Sequence, residues 1–160
     1  YVGAALLVDY TLLMNDIFEN NGIRLPLDPQ ATVSTEEEAY ERGKQLVDET
    51  FGAGATDNML ATAPKGQEHL VQFMVQYAFG QFYSRNGIDP QHRELITFCL
   101  IAAMGGCDDR LLVHARGCKN HKITKEEMIA VATIILPWIG FPRTLTAVGI
   151  INKAYSEMVM

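Results

Sequence analysis

The chain has 160 residues, 48% apolar and 20% charged, with 6 prolines scattered along it, so it is expected to form one domain with a sizeable core and no segment that must stay disordered. Its 13 basic and 19 acidic side chains give a formal charge of −6, and nowhere do more than two basic residues adjoin, which argues against a nucleic-acid groove. A small anionic ligand fits this balance, because it needs only one or two local cations.

Three cysteines, at positions 99, 107 and 118, form no Cys-x-x-Cys pair, and an odd count in a chain of this size fits a reducing, cytoplasmic compartment better than a disulfide scaffold. The apolar run Val2 to Met14 is broken by Asp9, and Ile134 to Ile139 carries Pro137, so neither reaches the roughly 20 residues that cross a bilayer and no membrane partner is expected. Tyr1 rather than Met opens the sequence, so a targeting segment upstream would leave no trace in it.

Helical periodicity dominates from end to end. Ala5, Leu6, Tyr10, Leu13, Met14 and Phe18 predict a first helix stopping at Asn20, Asn21 and Gly22, followed by a polar connection to Val33, so residues 1–33 form an N-terminal segment and 34–160 the main helical domain. Ser34 with Glu37 has capping-box spacing for a surface helix with a narrow apolar stripe, running to Phe51 and Gly52. A short helix is predicted over Asp57 to Ala63. From Glu68 a longer one presents His69, Leu70, Phe73, Met74, Tyr77, Ala78, Phe82 and Tyr83 as an aromatic core face. Asp89-Pro90 opens a helix that is apolar nearly all round after Leu95, and therefore central, ending at Gly105-Gly106. The next starts near Asp108 and Asp109, whose charges suit a helix N-terminus, and ends near Asn120. Thr124 with Glu127 caps a helix to about Trp138, and Gly140-Phe141-Pro142 opens the last, ending near Glu157. The fold class is thus all-α, a compact bundle of six to seven helices.

Chemistry concentrates between Cys107 and His121. Cys107, Arg110, Leu111, His114, Cys118 and His121 fall on one broad helical face, and the Gly105-Gly106 reversal can bring Glu94 of the preceding helix close to His114 or Cys118 as an acid/base pair. The competing reading makes His114 a satisfied structural histidine and Arg93-Glu94 a surface pair. No metal site is expected, since positions 107 and 118 lie about 16 Å apart along a straight helix. Cys107, at a helix start near Arg110, has the field that lowers a thiol pKa and is the candidate redox residue; Cys99, on an apolar helix, is expected to be inert. Arg85, just past a helix end, and Arg143, at the start of the last helix, either bind backbone carbonyls or offer a guanidinium to an anion.

The strings Glu41-Arg42-Gly43, Phe79-Gly80-Gln81-Phe82-Tyr83-Ser84-Arg85-Asn86-Gly87-Ile88, Arg93-Glu94-Leu95-Ile96-Thr97, Leu111-Leu112-Val113-His114-Ala115-Arg116-Gly117, Ile123-Thr124-Lys125-Glu126-Glu127 and Gly140-Phe141-Pro142 resemble, in order and spacing, the carboxymuconolactone decarboxylase family over about residues 38–158. That resemblance implies an alkylhydroperoxidase-like, all-helical subunit assembled as a homo-oligomer, a trimer or hexamer. The match is closer to the decarboxylase branch. The alkylhydroperoxidase signature is Cys-x-x-Cys-x-x-x-His with a glutamate upstream, and here His114, Cys107 and Glu94 match three of its members while Arg110 stands at the resolving cysteine. Dithiol turnover needs that second thiol.

What the resemblance implies is a cofactor-free lyase releasing carbon dioxide from a small anionic lactone, in aromatic-compound catabolism. His114 would donate the proton or hold the oxyanion, Glu94 would orient or reprotonate it, and Arg85 would clamp a carboxylate. Arg143, His121 and Tyr83 are the further substrate-binding candidates. Two other classes stay open: a thiol-dependent peroxidase or disulfide reductase using Cys107, and a non-catalytic oligomeric binding module.

Overall fold

A computed structural model describes residues 4–156, and every described element is helical. In chain order they are α1 (Ala4–Asn20), α2 (Glu36–Phe51), α3 (Ala55–Thr62), α4 (Glu68–Phe73) running into a π-helix (Met74–Tyr83), α5 (Pro90–Met104), α6 (Asp108–Asn120) and α7 (Lys125–Ser156). The end expected near Glu157 lies outside the described residues.

Two compact units divide the chain, residues 1–30 and 31–160. In the first, α1 ends as its sequence suggests: Gly22 takes φ 71°, and the Ile23 amide reaches back to the Phe18 carbonyl at 2.9 Å. The second unit begins at Ala31, and within it the Thr32 hydroxyl donates to the Ser84 carbonyl.

In the second unit, α2 starts one residue later than its spacing suggests. Thr35 and Glu38 form the reciprocal capping box, and Ser34 gives its amide to the Glu38 carboxylate. Ala39, Gly43, Leu46, Val47 and Thr50 are the buried stripe of α2. Gly43 and Gly80 are what let α2 lie against the π-helix: a Cβ at Gly43 would overlap the Val75 carbonyl, and one at Gly80 the Ala39 carbonyl. Leu46, Val47, Val75 and Phe79 form a cluster in this layer. Beside it, α5, α6 and α7 enclose the larger core, built on Phe98, Ile101, Leu111, Leu112, Ala115, Met128, Ala132, Ala147 and Ile151.

Two expectations are corrected. The aromatic face predicted from His69 to Tyr83 is core only in part: Met74, Ala78 and Tyr83 pack against the α2 layer, but Leu70 is 60% exposed, Phe73 65%, Tyr77 47% and Phe82 47%. A π-helix closes its hydrogen bonds one residue later than an α-helix, so a 3.6-residue reading drifts off the inward face along Met74–Tyr83, and the close glycine contact makes Val75, Phe79 and Gly80 the buried residues there. Helix α5 is not enclosed all round, since Ile96, Leu100 and Met104 form an open stripe along it. The last two predicted helices follow each other directly as the two halves of α7, parted where predicted at Gly140, whose φ 76°, ψ 165° is not helical. By length and composition α7 is sufficient to cross a bilayer, which the separate runs had hidden. Its two halves on either side of Gly140 each fall short of the roughly 20 residues such a span needs, and Met128, Ala132, Ala147 and Ile151 from both halves fill the core.

Candidate active site

Asp89 caps α5 by accepting from the His92 amide at 2.8 Å, and Pro90 presets the first turn. Starting there, α5 turns Glu94, Thr97 and Phe98 inward along i, i+3 and i+4. Glu94 is completely buried, and a carboxylate without water must find polar partners. It has two. His114 Nδ1 lies 2.5 Å from Oε1, and the Tyr83 hydroxyl donates to Oε2 at 3.2 Å while also hydrogen-bonding Thr97 Oγ1.

Helix α6 makes room for the carboxylate. Gly117, one turn beyond His114, has no side chain, and a Cβ there would overlap Glu94 Oε1 and lie 2.9 Å from its Cδ. His114 itself keeps 14% of its side chain open. Its ring meets Phe51 edge-on at 5.6 Å, and Phe51, Phe79 and Tyr83 continue the aromatic wall at 5.7 and 4.7 Å. With Nδ1 committed to Glu94, Nε2 is the nitrogen left to exchange a proton with a ligand.

Tyr83 connects this pair to a cavity of about 330 Å³ lined by its ring, by Arg42 and by the loop from Ser84 to Pro90, which includes Arg85. Arg93 braces that loop from behind. Its guanidinium donates to the carbonyls of Ile88 at 2.9 Å, Arg85 at 2.8 Å and Asn86 at 3.2 Å. Burial, with the Arg85 charge adding to it, pushes the Arg93 pKa below its ordinary value.

The remaining candidates sit elsewhere. His121 closes α6, its Nε2 3.1 Å from the Thr50 hydroxyl, beside the Asn120 amide that donates to the Thr50 carbonyl; together they fasten the end of α6 to the last turn of α2. Arg143 donates to the Ala103 carbonyl at 2.5 Å and, with Cys107, lines a smaller cavity of about 140 Å³ between the α5–α6 turn and α7. Cys107 is the half-buried N-cap residue of α6 and makes no capping bond through its side chain. Burial raises the Cys99 thiol above its ordinary range and the fully buried Cys118 thiol still further. Among the described residues, no three His, Cys, Asp or Glu side chains converge as a metal-binding group.

The structure therefore joins His114, Glu94 and Tyr83 by hydrogen bonds, places Arg85 with Tyr83 along a cavity that His114 and Glu94 do not line, and leaves Arg143 with Cys107 in another. Sequence reasoning assigned no role to Thr97, Gly117, Phe51 or Arg42. Gly117 carried a signal: a glycine inside a helix, one turn from a candidate histidine, sits where glycine is otherwise unfavourable.

Residues 68–153 match the model of the carboxymuconolactone decarboxylase family. The chain is 24% identical over 123 residues to 4-carboxymuconolactone decarboxylase of Acinetobacter baylyi, covering 77% of this chain and 91% of that protein. It is 23% identical over 120 residues to nitrosuccinic acid decarboxylase npaB of Metarhizium robertsii, covering 75% and 83%. With that match spanning over half its length, on the all-helical architecture described above, the chain belongs to the carboxymuconolactone decarboxylase family.

Proposed function

We propose that this protein is a cofactor-independent carboxy-lyase acting on a small organic anion, as a homo-oligomer. The observation that carries the reading is the buried Glu94–His114 pair joined through Tyr83 to an arginine-bearing cavity. Both relatives are named as decarboxylases of small acids, which supports the reaction class.

On an unsaturated lactone acid, the bond to the departing carboxylate breaks and its electron pair flows into the conjugated carbonyl, giving a 2-oxyfuran-like dienolate as carbon dioxide leaves. That path needs no external electron sink. A proton then forms the new C–H bond, so each turnover consumes one proton from solvent. His114 supplies it through Nε2 or holds the developing oxyanion, Glu94 orients the ring and stabilises its charged form, and Arg85 clamps a carboxylate. Tyr83 serves here by fixing Glu94.

The test uses 4-carboxymuconolactone and follows loss of lactone absorbance. His114→Ala should lose on the order of 10²-fold or more in rate, whereas Cys107→Ser should retain most of it. The opposite outcome, in variants with wild-type helical signal, would transfer the function to the thiol and to peroxide or disulfide reduction.

A further inference from the structure

Glu94 and Thr97 stand one turn apart on the inward face of α5, both buried. The Tyr83 hydroxyl enters between them from the end of the π-helix, bonded to Glu94 Oε2 at 3.2 Å and to Thr97 Oγ1. Elsewhere in the helices Thr11, Thr62, Thr133, Thr144 and Thr146 turn their hydroxyls back onto the carbonyl four residues earlier. Thr97 spends its hydroxyl on Tyr83 instead, across to another helix. It lines neither of the cavities described above, so it has no ligand to touch there.

We propose that Thr97 is a positioning residue: its hydroxyl donates to Tyr83, which commits the single phenolic proton to Glu94, so that the carboxylate is held by a donor at each oxygen, Tyr83 at Oε2 and His114 at Oε1. The role goes beyond the function proposed above and rests on that function only for its effect on turnover. Each hydroxyl carries one proton, and the proton count selects the direction. With Thr97 donating, both bonds of the chain are made, and it ends on a carboxylate, which only accepts. With Tyr83 donating to Thr97, the phenol oxygen would set its lone pairs against those of Oε2, and a buried carboxylate would lose one of its two donors. Hydrogen bonds in series polarise one another, so the Thr97 proton also strengthens the bond from Tyr83 to Glu94. The consequence falls on His114. A carboxylate pinned at both oxygens cannot swing about its stem, so Oε1 stays 2.5 Å from Nδ1 and the imidazole is held in one orientation with Nε2 left for a ligand.

The test reads the Nδ1 proton of His114, which is sheltered beside Glu94 and should give a low-field resonance in the NMR spectrum of the full chain, assigned by its loss in His114→Gln. Tyr83→Phe removes the donor to Oε2 and should displace that resonance. Thr97→Val keeps the shape of the side chain without the hydroxyl and should displace it in the same direction by a smaller amount, while Thr97→Ser should leave it in place. Added to Tyr83→Phe, Thr97→Val should move it no further, because Thr97 acts only through the phenol. If valine costs the helical signal, Thr97→Ala replaces it in every comparison. Where 4-carboxymuconolactone is turned over, Thr97→Val should lower kcat about threefold to tenfold, the worth of one hydrogen bond, with KM retained, and Thr97→Ser should restore it. A resonance that Thr97→Val leaves unmoved overturns the proposal. So does one that serine displaces as far as valine, or that valine displaces equally in the Tyr83→Phe background, since either result assigns Thr97 to packing alone. A wild-type spectrum with no such resonance overturns it together with the Glu94–His114 bond beneath it. Displacements in the expected pattern, in a protein that releases no carbon dioxide, support the positioning role and remove only the decarboxylase reading.

Discussion

At Gly117 the missing side chain is the functional element, because the space is taken by the Glu94 carboxylate and, on its far side, by Thr50 Cγ2 at 3.1 Å from where a Cβ would stand. Gly117→Ala is expected to destabilise the fold by about 1–3 kcal/mol, the usual cost of forcing extra volume into a packed site, and to displace Glu94 from His114. In a Glu94→Ala background only the milder contact with Thr50 Cγ2 at 3.1 Å remains, so the same substitution should cost clearly less, helped by the better helix propensity of alanine. Urea unfolding of the four proteins checks this; an equal cost in both backgrounds would show that the carboxylate is not what occupies the space. The sequence showed His114 and Glu94 as a pair because both sit on helices joined by a tight Gly105-Gly106 reversal, a local relation. Tyr83 comes from a different helix, and its hydrogen bonds to Glu94 and Thr97 depend on how the π-helix lies across α5, which no spacing within one helix encodes.

Among the elements, α3 has an unusual start. Its N-cap, Gly54, offers no side chain, and the capping carboxylate comes from α2: Asp48 accepts from the Gly54 amide at 3.2 Å and the Thr56 amide at 3.0 Å. Burial alone would raise the Asp48 pKa, but the two amides, with the Thr56 side chain and the Lys44 charge adding to them, hold it below its ordinary 3.8. A carboxyl depressed in the folded state stabilises fully above its unfolded value and loses that contribution as pH falls through the folded one. Asp48→Ala should therefore cost about 1 kcal/mol at neutral pH, as loss of a cap does, and the gap to wild type should narrow in unfolding measured below about pH 3. A gap that stays constant with pH would mean that the carboxylate charge is not involved. Capping signals were legible wherever donor and acceptor lie within one turn, as at Asp89 and at Thr124 with Glu127. The α2 box was displaced by a single residue, because Ser34 and Thr35 both offer a hydroxyl and only tertiary packing chooses between them.

At the scale of the whole second unit, open apolar surface is extensive. It includes Leu70, Phe73, Tyr77 and Phe82, the α5 stripe, and Ile134, Trp138, Phe141 and Leu145 along α7, with Trp138 79% exposed. Burial against sister subunits is the use we propose for it, and sedimentation at micromolar concentration should find a homo-oligomer; a compact monomer there would defeat the expectation. Helix number and order were legible from periodicity and glycine or proline punctuation. Which apolar face turns inward was not, because Phe73 and Phe79 are equivalent as residues and only the Gly43–Gly80 approach separates them. Gly140 has a different kind of consequence. Pro137 and Pro142 flank it and have no N–H to give, so the carbonyls of Thr133 and Trp138, both ahead of the break, lack their helical donors. The Thr144 hydroxyl answers the Gly140 carbonyl and begins the second half afresh. With the ladder thinned at this point, α7 is wound as two segments, each fastened to the core by its own buried residues, Met128 and Ala132 in the first and Ala147 and Ile151 in the second, so the direction of each half is set by packing and not by an unbroken helical ladder.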